Sequence, residues 1–276
     1  MNTPNLFNQL LIWPIINLLV LFYVVFSALH LPGALGWSII ALTILIRLAL
    51  YPLMSVQLRS AKKMAELKPH LDRLNQQHKN DKQRLQQEQM RLFKEAGVNP
   101  AAGCLPMLIQ LPVLLALYNV FFQVLGSSGG RELVNNINSV VYFPFLKLTS
   151  FNLVFFGVNL GVKPSQWQTV GPWILVVPVI TALLQFVQTK TMTPPTPQKE
   201  KKKTDKEEKP ASEDMSTAMQ TQMTYFTPIL FGYFAFSFPL GLALYWNTFT
   251  VFGIIQQVLI AGWGGMTPWL MKFRKQ

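Results

Sequence analysis

Arg47 is the residue of this sequence whose chemistry most needs an explanation. It lies near the middle of an apolar stretch, residues 36–58 (GWSIIALTILIRLALYPLMSVQL), which has about the length of a helix that crosses a bilayer. A guanidinium keeps its charge in a protein, and at mid-membrane that charge costs roughly 3 kcal/mol on insertion scales. Snorkelling relieves the cost near a helix end, but the residues on either side of Arg47 are mostly apolar. We therefore expect Arg47 to face a water-filled cavity.

The alternative is an Arg47 that joins two helices through an ion pair. Such a pair needs an acidic residue inside the membrane, and none of the five predicted spans contains Asp or Glu. An ionisable residue within a span is by default a functional one, so the sequence favours a functional arginine.

The composition is that of a membrane protein. Of 276 residues, 50% are hydrophobic and only 13% are charged, yet the net charge is +12. Cys104 stands alone, so no disulfide framework is predicted, and His30, His70 and His78 fall in unrelated contexts that suggest no metal site. The sequence has no phosphate-binding loop, nucleophile elbow or HExxH motif. We expect neither an enzyme nor a cofactor.

The apolar and polar stretches predict an all-α membrane protein: a five-transmembrane-helix core, a cytoplasmic helical hairpin, and an N-terminal apolar helix that lies in the interface. The predicted segments are 1–35, the N-terminal interfacial helix; 36–58, the first span; 59–101, the hairpin; 102–126, the second span; 127–170, an extracytoplasmic loop; 171–189, the third span; 190–217, a flexible charged loop; 218–238 and 240–261, the fourth and fifth spans; and 262–276, a short basic tail.

The hairpin is predicted from a change of character after the first span. Residues 59–99 are polar, basic and rich in helix formers, and their leucines recur at helical spacing on both sides of a plausible turn at 79–81. Gly97, followed by Asn99 and Pro100, supplies a signal that ends the second helix. Most of the hairpin's charges are expected to form a solvated face.

The distribution of basic residues predicts the topology. The hairpin, the charged loop and the tail hold 20 of the 24 Lys and Arg residues, whereas the opposite side holds only Arg131, Lys147 and Lys163. Because cytoplasmic loops carry an excess of basic residues, the hairpin and the C-terminus are placed in the cytoplasm. The N-terminus is then outside, provided that residues 6–30 do not span.

Polar side chains also recur on the predicted third span. Thr181, Gln185 and Gln188 follow one another at i, i+4 and i+7, so they share a helix face. In hydrocarbon this stripe would leave donors and acceptors unmet, and we expect it to face the bundle interior or a wet groove.

On the fifth span, Tyr245, Thr248, Phe252 and Gln256 share a face, and Trp246 adjoins it. The alternative for each polar residue taken singly is ordinary interhelical hydrogen bonding, typically under about 1 kcal/mol. The candidate groove residues are Arg47, Thr43, Gln110, Gln185, Gln188, Tyr245, Trp246 and Gln256.

Three stretches resemble the YidC/Oxa/Alb family of membrane-protein insertases. They are LIRLALYP at 45–52, NPAAGCLPMLIQLPVLLALY at 99–118 and FAFSFPLGLALYWNTFTVFGIIQQ at 234–257. The resemblance covers residues 36–262 in order, including the hairpin and the spacing of the spans. Together the stretches are highly specific, whereas any one alone would be only suggestive.

The resemblance implies a hydrophilic groove in the inner leaflet, open to the cytoplasm and to lipid but closed on the outer side. Arg47 matches the arginine at the groove floor, Trp246 matches an aromatic lining position, and Gln188, with Gln185 beside it, matches a polar position of the third span. The hairpin is required for insertion in the family. The implied partners are nascent membrane-protein clients, the lipid bilayer, the ribosome and the Sec translocon, with no nucleic acid bound as substrate, and the implied location is the bacterial inner membrane.

The chain departs from the family in three features. It shows no lipoprotein-type Cys, no large extracytoplasmic β-domain before the first core span and no long basic tail. The first two differences suggest a small bacterial form. The third weakens the expectation of strong ribosome binding through the tail.

The function predicted from these features is insertion of membrane proteins. The polar segments of clients would cross the bilayer through the groove, attracted by the charge of Arg47, without nucleotide hydrolysis. One alternative is a small-solute or anion transporter that uses Arg47 as an anion site. The lack of intramembrane acids or histidines and of a visible inverted repeat disfavours it. A chaperone that holds helices without moving them is a third possibility.

Overall fold

The computed structural model describes residues 5–78, 81–98, 111–119, 130–193 and 211–268, which form an all-α membrane protein. The helices are α1 (Trp13–Ala28, continuing a π-helical turn at Asn8–Ile12), α2 (Ala34–Ala49), α3 (Tyr51–Gln77), α4 (Lys82–Glu95), α5 (111–119), α6 (Gly130–Asn138), α7 (Trp167–Val170), α8 (Val176–Met192), α9 (Ala211–Ser237) and α10 (Leu240–Ala261). A two-residue antiparallel pair joins β1 (Val154–Phe155) to β2 (Val158–Asn159).

Within the described residues, three helical stretches are long and apolar enough to cross a membrane: Asn8–Ala28, Pro172–Met192 and Leu240–Ala261. The number rises to four if Ala34–Ala49 and Tyr51–Leu67, which are separated by a break, count as one span. The count of five spans therefore stays a prediction. The first stretch was predicted to lie in the interface, and its length and composition also suit a span.

The helix that carries Arg47 is shorter than predicted. Instead of running through residues 36–58, α2 ends at Ala49 and α3 begins at Tyr51. Pro52 explains the break, because it has no N–H to donate to the carbonyl of Leu48 and its ring crowds the preceding turn. Proline is well tolerated in the first turn of a helix, so the chain restarts as α3 and the first hairpin helix begins before Arg59.

The other predicted boundaries differ by smaller amounts. Helix α9 begins at Ala211 rather than at 218, and the predicted extracytoplasmic loop contains α6, α7 and the β pair. Of the predicted second span, 102–126, only the helical residues 111–119 are described, and residues 194–210 of the charged loop lie outside the described residues.

The chain divides into two compact units. The first comprises Met1–Leu50, Pro106–Ala182 and Leu230–Phe252, and the second comprises Tyr51–Leu105, Leu183–Ile229 and Gly253–Gln276. The core of the first unit is apolar, and α1 packs against α2 within it. Its fully buried side chains include Ile16, Leu35, Ile39, Leu42, Leu117 and Tyr245.

Buried Asn17 ties the loop after α6 to α1 in the first unit. Its Nδ2 atom donates to the main-chain oxygens of Trp13 (2.8 Å) and Val140 (2.9 Å), and its Oδ1 atom accepts from the N–H of Tyr142 (2.7 Å). An apolar side chain could make none of these three hydrogen bonds, so Asn17 fixes the loop by satisfying backbone groups that packing alone would leave unmet.

In the second unit, α3 and α4 contact each other as a helical hairpin. Gln89 Nε2 donates to Asn75 Oδ1 across the pair (3.0 Å), and Asp81 caps α4 by accepting from the N–H of Arg84 (3.0 Å). Gly97, with φ of 62°, follows the end of α4, as its stop signal predicts.

Candidate functional site

Arg47 lies in the last turn of α2, inside the first unit, and its side chain is only 3% exposed. Its Nη2 atom donates to the main-chain oxygen of Phe249 at 2.7 Å. Its guanidinium carbon lies 3.5 Å from the centroid of the Phe249 ring. The sequence predicted a guanidinium open to water, whereas in this structure Phe249 covers it.

The two contacts with Phe249 explain how a buried cation is tolerated. A desolvated cation–π contact contributes about 2 kcal/mol and a hydrogen bond to a charged group about 1.5–3 kcal/mol. Their sum is comparable with the roughly 3 kcal/mol that a mid-membrane arginine costs. Both contacts are to neutral groups, so neither of them cancels the positive charge.

Three more of the predicted groove residues lie in the same unit as Arg47. Thr43 is one helical turn before it, fully buried, with its hydroxyl donating to the main-chain oxygen of Ile39 at 2.6 Å. The Tyr245 ring is buried 6.1 Å from the Phe249 ring. The half-buried indole of Trp246 lies 6.3 Å from that ring.

Trp246 also stacks on Phe231 of α9, with 4.3 Å between ring centroids and 20° between the planes. Aromatic pairs of this kind contribute about 0.5–1.5 kcal/mol beyond the area that they bury. The stacking therefore connects α10 to α9 close to the residue that covers Arg47.

Two further polar atoms of α10 are buried, on residues that adjoin Trp246 and Phe249 in the sequence. Asn247 Oδ1 and Thr250 Oγ1 make no hydrogen bond with the part of the chain that the structure describes. A buried polar atom without a partner costs roughly 1–3 kcal/mol, and buried water is the usual way to satisfy it. These two residues were absent from the predicted site.

The remaining predicted groove residues that can be placed belong to the second unit. Gln185 and Gln256 are buried, and Gln188 is partly buried. Two more polar atoms of this unit, Ser55 Oγ and Gln57 Oε1, are buried without a hydrogen-bond partner among the described residues. Gln110 lies outside the described residues.

Sequence reasoning missed Phe249, which contacts Arg47 through both its main-chain oxygen and its ring. A signal existed, because Phe249 follows Tyr245 by four residues and Trp246 by three, which places it beside both on the helix. Ser55 and Gln57 gave a weaker signal, since both fell inside a stretch assigned wholly to the first span.

The fold and the site define an integral membrane protein with a cation buried among its helices and polar groups distributed along them. A sequence profile of the family described as "60Kd inner membrane protein" matches residues 13–264. The chain belongs to this family, the YidC/Oxa/Alb family.

Individual relatives agree with this assignment. The chain is 33% identical over 260 residues to "Inner membrane protein ALBINO3, chloroplastic" of Arabidopsis thaliana, covering 88% of this chain and 50% of that protein. It is 32% identical over 235 residues to "Membrane protein insertase YidC" of Rickettsia prowazekii, covering 83% of this chain and 35% of that protein, and the same figures hold for the protein of that name from Rickettsia felis. The chain thus spans half or less of the length of these relatives.

Proposed function

We propose that this protein is a membrane-protein insertase. It moves the polar segments of client proteins across the bilayer through a hydrophilic groove in the inner leaflet, and it does so without nucleotide hydrolysis. Membership of the YidC/Oxa/Alb family and the names of the relatives support this function. The observation that carries the mechanism is the contact between Arg47 and Phe249.

The Arg47 guanidinium contacts two neutral groups, the main-chain oxygen and the ring of Phe249. A client carboxylate binds a guanidinium more strongly than a neutral carbonyl does, because two opposite full charges attract each other and the two groups can form a pair of parallel hydrogen bonds. An acidic client segment that reaches Arg47 therefore displaces the Phe249 contacts at a net gain. The exchange attracts the client and requires no covalent chemistry.

Water in the groove lowers the barrier for such a segment. A charged or unpaired polar stretch is expensive to desolvate, so a groove that carries water part-way into the bilayer shortens the hydrocarbon distance that it must cross. The unsatisfied buried atoms of Asn247 and Thr250, in the same unit as Arg47, support hydration near it.

The candidate groove residues have different roles in this proposal. Arg47 supplies the charge, Thr43 lies one helical turn before it, and the rings of Tyr245 and Trp246 lie near the Phe249 ring that covers it. The polar side chains Gln110, Gln185, Gln188 and Gln256 offer hydrogen bonds to the backbone and side chains of a passing client segment.

The orientation follows from the basic residues. We place the protein in the bacterial inner membrane with the hairpin and the C-terminus in the cytoplasm, because 20 of its 24 Lys and Arg residues then lie inside. In this orientation the membrane potential assists the outward movement of acidic client segments. The ribosome and the Sec translocon are proposed partners.

Reconstitution tests the proposal. The full chain is placed in liposomes with a single-span client whose outer tail carries acidic residues, and translocation is scored by protection of the tail from protease. We expect protection that depends on the chain and that falls when the tail's Asp residues are changed to Asn. Equal protection in empty liposomes would contradict insertion, and anion uptake by the chain without a client would favour the transporter.

A further inference from the structure

A cavity of about 340 Å³ lies wholly within the second unit, apart from Arg47 and its neighbours. Three segments line it: the middle of α3, the end of α8 with the residue that follows, and the end of α10 with the turn after it. The lining residues that bear on its chemistry are Lys62, Glu66, Thr191, Thr193, Trp263 and Thr267.

Two hydrogen bonds to main-chain oxygens hold the end of α8 against α10 and the turn after it. Gly265 N–H donates to the oxygen of Thr193 at 2.8 Å, and Gln257 Nε2 donates to the oxygen of Thr191 at 3.3 Å. Gly264 has φ of 48°, and a Cβ atom there would overlap the oxygen of Thr191. The turn after α10 is thus fitted closely to the end of α8, and only glycine permits this approach.

The cavity carries one charge of each sign on the same wall. Lys62 and Glu66 are four residues apart on α3, and both are exposed. They form no ion pair within the part of the chain that the structure describes. A Lys that precedes a Glu by four residues is also the weaker of the two helical arrangements. Both charges are therefore available to a ligand.

The threonines add hydrogen-bond acceptors. The hydroxyls of Thr191, Thr193 and Thr267 donate to the main-chain oxygens of residues 188, 190 and 264, each at 2.8 Å. A hydroxyl that has used its proton still has lone pairs to offer. The cavity lining, which otherwise consists largely of alanine, glycine and other apolar residues, thus holds a few hydroxyl acceptors, with Lys62 as its cationic donor.

The position along the helices indicates the depth of the cavity. Two of the candidate spans, Pro172–Met192 and Leu240–Ala261, end at residues that line it. Trp263, two residues after Ala261, is 43% exposed, as is typical of a tryptophan at the level of the lipid headgroups. The ligand therefore meets the cavity where hydrocarbon gives way to headgroups.

We propose that this cavity binds the headgroup of phosphatidylethanolamine. Lys62 binds the phosphate, and Glu66 with the threonine hydroxyls accepts hydrogen bonds from the primary ammonium, which also lies near the indole of Trp263. A choline group has no N–H to donate, and a glycerol headgroup brings no cation for Glu66. Apart from the lining residues, this assignment requires only that the chain is embedded in a membrane, and it does not depend on the insertase proposal.

Native mass spectrometry of the purified full chain in detergent tests the assignment. Phosphatidylethanolamine, phosphatidylglycerol and phosphatidylcholine of the same acyl chains are titrated separately. We expect one phosphatidylethanolamine to bind with preference, and Lys62→Gln or Glu66→Gln to weaken it about tenfold, as the loss of one charge-assisted hydrogen bond predicts.

Lys63→Gln is the matched control, because it removes the same charge from the next residue, which does not line the cavity. It should leave binding of phosphatidylethanolamine unchanged. Lys62→Arg keeps the positive charge and should retain most of that binding. Equal binding of the three lipids, tighter binding of phosphatidylglycerol, or equal loss in Lys63→Gln would overturn the proposal. Soluble phosphoethanolamine that binds as tightly as the lipid would overturn the membrane as its source.

Discussion

Arg47 and Phe249 are 202 residues apart in the sequence, yet the Arg47 guanidinium contacts both the main-chain oxygen and the ring of Phe249. A single residue thus supplies a hydrogen-bond acceptor and an aromatic face to one cation. The acceptor is part of the helix backbone and cannot be removed by substitution, whereas the ring can. The two contributions can therefore be separated experimentally.

Substitution of Arg47 tests the role of its charge. We expect Arg47→Ala and Arg47→Glu to impair insertion of clients with acidic outer tails at least tenfold, and Arg47→Lys to retain much activity because the positive charge remains. The thermal midpoint of the protein in detergent should fall with Arg47→Ala, because the truncation leaves a cavity at a buried position, and should fall less with Arg47→Lys. Protease protection of the client tail measures the first effect. Unchanged insertion by Arg47→Ala across several clients would exclude attraction by charge.

Substitution of Phe249 tests whether its ring shields Arg47 from a client. Phe249→Leu keeps an apolar side chain and the main-chain acceptor but removes the cation–π contact, which contributes about 2 kcal/mol. We expect crosslinking of an acidic client to α2 to increase, because the client carboxylate then has one contact fewer to displace from Arg47. Phe252→Leu, one turn further along α10, is the matched control and should behave as the unchanged protein. Equal crosslinking in Phe249→Leu and the control would mean that the ring does not restrain Arg47.

Much of this arrangement could be predicted from local sequence. The apolar runs and the end of α4 before Gly97 are each determined by residues within a turn or two, and hydrophobic periodicity or turn chemistry detects them. The family resemblance extended this to the order of segments. Pro52 also gave a local signal for the break after Ala49, but the apolar run that contains it favoured one continuous span.

The partners across long sequence separations could not be predicted in this way. Phe249 as the cover of Arg47 and Val140 as an acceptor for Asn17 depend on how distant elements pack, which no local pattern specifies. The same holds for the cavity beside Lys62, since its walls come from three separate parts of the chain. Exposure of Arg47 was predicted from the cost of its charge, and that argument did not consider an aromatic ring as the compensating group.

Asn17→Ala tests the attachment of the loop to α1. The substitution removes three hydrogen bonds and leaves the buried oxygen of Val140 and the N–H of Tyr142 without their partner. Each buried group left unsatisfied costs roughly 1–3 kcal/mol, so the thermal midpoint in detergent should fall by several degrees. Asn135→Ala, at an exposed position of α6, should leave it unchanged. A midpoint equal in both variants would show that the Asn17 bonds do not stabilise the fold.

Removal of the hairpin tests its contribution to insertion. Deleting residues 62–95 takes away most of α3 and all of α4 but leaves every predicted span intact. We expect the variant to enter the membrane and yet to fail to complement cells depleted of their own insertase. Asp81→Ala, which removes only the cap of α4 at a cost of about 1 kcal/mol, should still complement. Growth supported by the deletion variant would make the hairpin dispensable.

The most direct test of the account is the accessibility of position 47 from each side of the membrane. A cysteine is introduced there by Arg47→Cys in a Cys104→Ser background, and a membrane-impermeant maleimide is added to one face at a time. We predict labelling from the cytoplasmic face only, slow in this background and faster when Phe249→Ala is added. Labelling from the outer face, or none from either face even with Phe249→Ala, would contradict a groove that leads from the cytoplasm to Arg47.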